Sequence, residues 1–456
     1  MRAPSQIYRH VPASSGALAV DPGASAWGQD YYRHAPVVAL VLIAVVAARL
    51  HEILPYVYKV RPALTMGLGG SLLVLSQSGS GVLQFLGAHR GLRLLSALFL
   101  WAALTAPFAL WPSAAGTAAI SQFLPILLMS FVILACEPTE SNLRRLTFGF
   151  VAAAAIHGLL LLPNRMIGVR LGSTSSLDPN DLAALMVICF PFSVAMALQN
   201  RGLQRWLAWG AATVFVAIVV FSGSRGGTIA MVVAALVYVL SAKGSRRVLA
   251  FVLLLAAGAL TWQVAPGWFR TRMRTITATE DDYNTFAYEG RKQIWARARL
   301  YIRQHPVAGV GMNNFPVAEG NHLTSLGIRG KWSNTHNAYL QVTSELGFVG
   351  AAFFVAFMVA AGRRALELRR STGRGGDSGG AKPEFIAALA GFAVGAYFLS
   401  HAYFYAYYAL AALIFFAYRV RQASGVGPVN LSVSQPVFPR AQRGFRSLRT
   451  AHFRAR

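Results

Sequence analysis

The sequence predicts an all-α polytopic membrane protein with about twelve transmembrane helices. Of its 456 residues, 55% are hydrophobic and only 13% are charged, a composition too apolar for an ordinary soluble protein. Apolar stretches of roughly 17–25 residues recur along most of the chain, the length an α-helix needs to cross a bilayer. The net charge of +26 comes from Lys and Arg placed between these stretches, so it does not indicate a nucleic-acid groove.

The apolar stretches divide into nine spans within residues 35–264, one long polar segment over residues 265–337, and three further spans within residues 338–420. The segment from residue 385 to residue 418 is almost unbroken, and we interpret it as two spans. The predicted spans lie near Val37–Leu54, Ala63–Leu86, Leu94–Trp111, Ala114–Cys136, Leu146–Leu162, Leu182–Leu198, Trp206–Phe221, Thr228–Ser241, Val248–Val264, Leu346–Ala361, Phe385–Ser400 and Tyr403–Phe416.

The distribution of Lys and Arg predicts that both termini are cytoplasmic. With this orientation, 26 of these residues lie on the inner side and five lie in the short outer loops, which follows the positive-inside rule. The segment 265–337 then faces outward. Residues 1–34 form a cytoplasmic segment without the apolar core of a secretory signal. The basic tail 421–456 predicts a disordered cytoplasmic segment on anionic lipid, or simply a topology anchor.

The first candidate element of a site is an Arg set among glycines between two spans, in the run FSGSRGG at residues 221–227. An Arg near hydrocarbon costs on the order of 2–3 kcal/mol, so its position is a functional hypothesis by default. The glycines allow backbone N–H groups to approach a ligand, and the next helix N-terminus favours an anion. We predict phosphate binding by Ser224, Arg225 and Gly226; the alternative is a turn residue that snorkels to the interface.

The second element is a basic amphipathic helix that begins after Gly290. Ile294, Ala298 and Ile302 fall on one helical face, a pattern typical of a helix lying on the membrane surface. Most of its charges therefore have a structural interpretation. Arg291 differs, because it stands at the start of the helix, where its side chain can turn toward a site.

The third element is His336, in the polar run SNTHN at residues 333–337, directly before the tenth span. An imidazole titrates near neutral pH and can accept a proton from a hydroxyl group that attacks a substrate. We predict a catalytic role for His336, with Asn337 beside it as a substrate contact; a lone His more commonly has a structural role. His401, which lies between spans, is interpreted as a hydrogen-bonded packing residue.

No metal site is predicted. Cys136 and Cys189 lie in apolar stretches without the spacing of metal ligands, and the outward acidic cluster at residues 280–282 lies in a Thr-rich stretch. No phosphate-binding Gly-rich loop followed by Lys and Ser or Thr occurs, so an ATP-driven pump is not expected. Asp178 is expected to cap the span that follows it, and Asn180 is expected to line a cavity.

Taken in order, these elements resemble the O-antigen ligase and polymerase family. The resemblance covers about residues 168–350 and is carried by the order of five elements on a twelve-span protein. The elements are Arg170-Leu171-Gly172 with Asp178-Pro179-Asn180-Asp181-Leu182-Ala183, then Ser224-Arg225-Gly226-Gly227, then Arg291 with Ile294-Trp295, then His305-Pro306 with Gly309-Val310-Gly311, then His336-Asn337 with Tyr339-Leu340-Gln341 and Glu345-Leu346-Gly347.

The resemblance implies a GT-C-like glycosyltransferase of the bacterial cytoplasmic (inner) membrane, whose site faces the periplasm. Such an enzyme takes a glycan from undecaprenyl diphosphate and moves it to an acceptor hydroxyl with inversion, without a metal or a cofactor. By analogy, Arg225 and Arg291 would hold the diphosphate, Arg170 and Asn180 would contact substrate, and His336 would orient or deprotonate the acceptor.

The acceptor and the reaction class stay open at this point. A ligase would use lipid A core or another acceptor, whereas a polymerase would use a second lipid-linked glycan. A transporter or flippase would use Arg225 and Arg291 only to bind a passing anion. Transporters usually show internal repeats and broken helices at the midplane, and neither is clear here. A sensor or scaffold is disfavoured by the convergence of Arg and His on one outer face.

Overall fold

The chain folds into a bundle of α-helices, which confirms the predicted all-α class. A computed structural model describes residues 34–48, 61–76, 82–164, 170–171, 178–242, 244–276, 290–328, 332–370 and 381–424. The helices are α1 (Ala35–Ile43), α2 (Pro62–Ser76), α3 (Val82–Ala88), α4 (Arg90–Thr105), α5 (Pro112–Ala118), α6 (Leu124–Ala135), α7 (Glu140–Leu161), α8 (Pro179–Gln199), α9 (Gly202–Ser222), α10 (Arg225–Leu240), α11 (Ser245–Val264), α12 (Gly267–Arg274), α13 (Arg291–Gln304), α14 (Phe315–Ser325), α15 (Ala338–Arg369), α16 (Pro383–Phe398) and α17 (Tyr405–Ala423).

Within the described residues, seven helical segments are long and apolar enough to cross a membrane, and four shorter helices are also apolar. The protein is therefore a multi-pass membrane protein. Each of the twelve predicted spans overlaps a helical segment of the described residues, and the second overlaps both α2 and α3, with residues 77–81 between them outside the described residues. The apolar region from residue 385 onward does form two helices, α16 and α17. The number of twelve crossings and the outward position of residues 265–337 stay predictions.

Polar caps fix the starting points of three helices. Asp178 caps α8 as predicted, because its carboxylate accepts hydrogen bonds from two N–H groups of the first turn, at 2.5 and 3.0 Å. Ser224 caps α10 by accepting one such bond at 3.1 Å. Asn337 caps α15 by accepting two, each at 3.0 Å. These bonds satisfy N–H groups that a helix leaves unpaired at its N-terminus, so the register of each helix is set by the sequence.

Helix α16 packs closely between α8 and α10. A Cβ atom added at Gly391 would lie 2.8 Å from the Cβ of Ala234 in α10 and 2.8 Å from the Cγ1 of Val187 in α8. Small residues at such contacts let membrane helices approach each other, and van der Waals packing then holds them. The C-terminal end of α16 is therefore held beside the N-terminal ends of α8 and α10.

A kink in α15 packs against the loop that follows α13. Gly347 has a φ of 66°, a conformation that L side chains rarely adopt, and the N–H of Phe348 donates to the carbonyl of Pro306 at 2.8 Å. A Cβ atom at Gly309 would lie 2.3 Å from the carbonyl carbon of Glu345. These glycines are thus required by the close approach of two backbone segments.

Helix α11 differs from its neighbours, because none of its side chains is buried. Leu253, Leu255 and Leu260 are each about 60% exposed, and α11 packs mainly along α10. In a bilayer, such an apolar and unpacked helix faces lipid.

The apolar face of α13 is buried in protein. Ile294 and Ala298 are 1% and 0% exposed, and they pack with Tyr301, Val310 and Phe315. This face therefore contacts protein, and it is not available to contact lipid as expected, while the position of the helix relative to the membrane stays a prediction. Ile294 and Ala298 do share one helical face, as predicted. The sequence does not distinguish a face that contacts lipid from one that contacts α14.

Helix α13 is joined to α14 by a buried ion pair. The Arg297 Nε donates to the two carboxylate oxygens of Glu319 at 2.8 and 3.0 Å, and its Nη2 contacts the same group. The Tyr301 hydroxyl donates to the same carboxylate at 3.3 Å. Breaking a buried pair by removing one partner leaves a buried charge unpaired and costs about 3–5 kcal/mol.

We therefore expect Arg297→Ala to loosen the segment 291–325, measured as faster amide hydrogen exchange in the detergent-solubilised protein. Arg299→Ala removes an exposed charge from the same helix and is the matched control. Arg297→Met combined with Glu319→Leu is expected to recover most of the protection, because no charge is left buried. Unchanged exchange in Arg297→Ala would contradict a structural role for the pair.

Candidate active site

The turn between α9 and α10 is bound by two guanidinium groups. The Arg170 Nε donates to the Ser222 carbonyl at 2.8 Å, and the Arg272 Nε donates to the Gly223 carbonyl at 2.7 Å. The C-terminal carbonyls of a helix carry partial negative charge, so both interactions are favourable. Each guanidinium is thereby fixed through its Nε.

Asn180 connects this turn to the first turn of α8. Its side-chain oxygen accepts a hydrogen bond from the Arg170 Nη2 at 3.1 Å and another from the Ser224 hydroxyl at 2.8 Å. Three of the predicted substrate-binding residues therefore form one hydrogen-bonded chain, and the N-termini of α8 and α10 lie side by side. Positive helix ends that lie together favour an anion.

The positive charges of Arg225, Arg272 and Arg291 act on Arg170 at these helix ends, and the four Arg residues form what we call the Arg cluster. The pKa of Arg170 is lowered to about 10, mainly by burial and next by the positive charge of Arg272. The Asp178 carboxylate raises this pKa, whereas the charges of Arg225 and Arg291 lower it. Arg170 is still positively charged at neutral pH, so the cluster concentrates positive charge, which favours a polyanionic ligand.

Arg225 and Gly226 open α10. The Arg225 Nη1 donates to the Thr275 hydroxyl at 2.8 Å, and this bond joins α10 to the end of α12. A Cβ atom at Gly226 would lie 2.8 Å from the Cβ of Phe398. The contact that the structure gives Gly226 is therefore helix packing, while its approach to a ligand stays a prediction.

Arg291 and His336 are linked through Trp295. The Trp295 indole N–H donates to the carbonyl of Thr335 at 2.9 Å, and Thr335 directly precedes His336. Arg291 lies four residues before Trp295 on α13, one helical turn or about 6 Å along the axis. The first turn of α13, which begins with Arg291, therefore lies near the loop that carries His336.

His336 is half-buried and has a φ of 49°, in the left-handed region that non-glycine residues rarely adopt. Its backbone N–H donates to the Ser400 hydroxyl at 2.8 Å. Asn337 is 3% exposed and its side-chain oxygen caps α15. Its observed contacts are structural, and its contact with substrate stays a prediction.

The segment 397–401 touches each part of the site. The Tyr397 ring meets the Trp295 ring edge-on at 5.5 Å, and Ser400 accepts the bond from His336. The imidazole Nε2 of His401 lies 2.7 Å from the carboxylate of Asp181 in α8. Together with the packing of Phe398 on Gly226, these contacts assemble the helix ends into one site.

Two features of this site were not predicted from the sequence. Arg272 stands in the run RTRMR at residues 270–274, where three Arg residues alternate and nothing distinguishes the one that binds the turn. His401 was interpreted only as a packing residue, and its pairing with Asp181 joins positions 220 residues apart. The acidic cluster at residues 280–282, the only metal candidate in the outer segment, lies outside the described residues.

Residues 210–355 match the family model described as O-Antigen ligase. The match includes Arg225, Arg291 and His336, and it begins after Arg170 and Asn180. No curated protein matches the chain at a significant level. The family implies lipid-linked glycans as substrates. The chain therefore carries an O-antigen ligase family domain over residues 210–355, which makes it a glycosyltransferase-type enzyme of the membrane.

Proposed function

We propose that the protein transfers a glycan from undecaprenyl diphosphate to an acceptor hydroxyl on the periplasmic face of the cytoplasmic membrane. The observation that carries this proposal is the concentration of positive charge from four Arg residues at the adjoining N-termini of α8 and α10, near the loop that holds His336. A diphosphate carries charge that such a cluster neutralises, and the sugar attached to it would lie toward His336.

The Arg cluster accounts for donor binding and departure of the leaving group. Arg225 and Arg291 bind the diphosphate oxygens, to which a planar guanidinium can donate two parallel hydrogen bonds. Negative charge grows on the diphosphate as its bond to the sugar breaks, and fixed cations stabilise that charge. Arg170 and Arg272 hold the turn that presents Arg225.

His336 accounts for activation of the acceptor. The acceptor oxygen attacks the anomeric carbon from the side opposite the diphosphate, so its configuration is inverted. The new carbon–oxygen bond forms as the bond to the diphosphate breaks, and the hydroxyl proton passes to the imidazole of His336. The bond from its N–H to Ser400 fixes the backbone, so the imidazole keeps its position during the reaction.

The proposal is tested with purified protein in nanodiscs, supplied with undecaprenyl-diphosphate glycan and either lipid A core or more donor. Extended glycan together with released undecaprenyl diphosphate is expected in one of the two arms. Product in the first arm identifies a ligase, and product in the second identifies a polymerase. Translocation of intact donor in liposomes, without release of the diphosphate, would instead identify a flippase.

We expect transfer to continue in the presence of excess EDTA, because Arg side chains supply the positive charge that a divalent cation would otherwise provide. The rate is expected to stay within about twofold of the untreated rate. Complete loss of activity that is restored by Mg²⁺ or Mn²⁺ would refute metal independence and direct attention to the acidic cluster at residues 280–282.

A further inference from the structure

A cavity lies beside the site, and Ser400 and His401 of the segment 397–401 form part of its lining. Its volume is about 360 Å³, within the range of about 300–1,000 Å³ that is usual for small-molecule sites. Among the described residues, its lining includes no Lys or Arg, in contrast to the neighbouring Arg cluster. Its polar lining residues include Gln122, Asp181, Asn313, Gln341, Ser400 and His401.

The backbone is irregular where two of these side chains enter the lining. Residues Ala119–Phe123 form a π-helical turn that joins α5 to α6, and such turns are frequent at functional sites. Asn313 has a φ of 57°, and its side-chain N–H donates to the oxygen of Gln122 at 2.7 Å. The two amides are thereby held together at the mouth of the cavity, where Gln122 is exposed.

The His401 imidazole is buried in the wall of this cavity. It is 1% exposed, and its ring stacks on Phe404 at 4.7 Å. Its Nε2 meets the Asp181 carboxylate, whereas its Nδ1 has no hydrogen-bond partner among the described residues. Because Nε2–H donates to Asp181 in the neutral ring, Nδ1 is a hydrogen-bond acceptor. Since the His401 side chain is 1% exposed and that of Asp181 is 31% exposed, the pair presents the Asp181 carboxylate to the cavity, and His401 holds that carboxylate in place.

The cavity and the Arg cluster share two walls. Asn180 holds Arg170 and Ser224 on one side, while the next residue, Asp181, lines the cavity on the other. Ser400 lines the cavity and also accepts the hydrogen bond from the His336 N–H. A ligand in the cavity would therefore lie next to the residue assigned to the acceptor hydroxyl.

We infer that this cavity binds the acceptor sugar, through an uncharged and hydroxyl-rich residue of the acceptor glycan, with Gln122, Asn313 and the Asp181–His401 pair as its contacts. The inference rests on the proposed function and adds to it a separate site for the acceptor. Amide, hydroxyl and imidazole groups without a net positive charge suit sugar hydroxyls, whereas the four Arg side chains suit the diphosphate. The negatively charged diphosphate of the donor and the uncharged sugar of the acceptor are thus assigned to separate sites.

The first test compares Gln122→Leu with Gln199→Leu, an exposed Gln at the end of α8 that does not line the cavity. Gln122→Leu is expected to raise the KM for the acceptor at least about tenfold and to leave the KM for the donor within about twofold. Gln199→Leu is expected to change neither. A rise in the donor KM alone would assign the cavity to the donor sugar and overturn the inference.

The second test does not depend on turnover. Ser121→Cys places a thiol in the cavity lining, and the native Cys136 and Cys189 are 0% exposed. Labelling by a water-soluble maleimide is expected to slow at least about fivefold with lipid A core or with undecaprenyl-diphosphate glycan offered as acceptor. The labelling is repeated in an Arg225→Ala, Arg291→Ala background, which is expected to weaken donor binding at the Arg cluster, so that the remaining protection reports occupancy of the cavity.

These outcomes separate the two proposals. Protection without transfer by the wild-type protein would support the cavity and refute the proposed chemistry. Transfer without protection by either glycan, together with an unchanged acceptor KM in Gln122→Leu, would refute the acceptor cavity and leave the proposed chemistry intact.

Discussion

Arg225→Ala is expected to lower the rate of glycan transfer by at least about 100-fold, the scale of losing one group that stabilises charge in a transition state. Arg225 stands at the N-terminus of α10 and acts with three other guanidiniums on the same site. Arg225→Lys keeps the charge but loses the planar donor pair, so we expect it to recover only part of the rate. The measurement is single-turnover transfer with saturating acceptor.

Two controls separate diphosphate binding from structural effects. Thr275→Ala removes the partner of the Arg225 Nη1 without removing the cation, and it is expected to retain most of the activity. Arg299→Ala removes an exposed Arg from α13 and is expected to behave like the wild type. If Thr275→Ala were as inactive as Arg225→Ala, Arg225 would serve to dock α12 and the diphosphate role would be lost.

His336→Ala is expected to lower kcat by about 100-fold or more while changing donor affinity less than threefold. General-base catalysis by a positioned His contributes roughly 10²–10⁴ to a rate, and the diphosphate contacts lie on other elements. Donor affinity is measured directly by binding of labelled undecaprenyl-diphosphate glycan, because KM alone does not separate binding from chemistry.

His305→Ala is the matched control for His336→Ala. His305 is exposed, ends α13 through its backbone, and is expected to leave kcat nearly unchanged. Collapse of donor binding in His336→Ala, with the residual kcat unaffected, would reassign His336 as a donor contact. Replacement of Ser400 by Ala is expected to lower kcat by a smaller factor, since it frees the backbone N–H of His336 without removing the imidazole.

The positions of most helices could be predicted because each long apolar helix is marked by a local sequence pattern. Apolar length located the helices, and a cap such as Asp178 was recognisable from its position before an apolar run. The burial of α13 was not predictable, since Ile294 and Ala298 have the same spacing whether they face lipid or protein.

Candidate site residues could be predicted from the sequence where a polar side chain occurs next to an apolar span. Arg225 among glycines and His336 before a span were singled out for that reason, and the structure brings their surroundings together. Arg272 and the Asp181–His401 pair were missed because their significance comes only from contacts between distant parts of the chain. A sequence pattern reports local geometry, whereas these contacts depend on how α8, α12 and α16 pack.

Helix α11 links the membrane to the site through hydrophobic matching. Its 20 residues extend about 30 Å, equal to the thickness of the hydrocarbon core. None of its side chains is buried and its packing is mainly along α10, so we expect the surrounding lipid to influence its tilt and depth. α12 begins three residues later and carries Arg272, which binds the turn beside Arg225. We therefore expect a change in bilayer thickness to affect the loop that borders the Arg cluster, which transfer rates in lipids of different chain length would reveal.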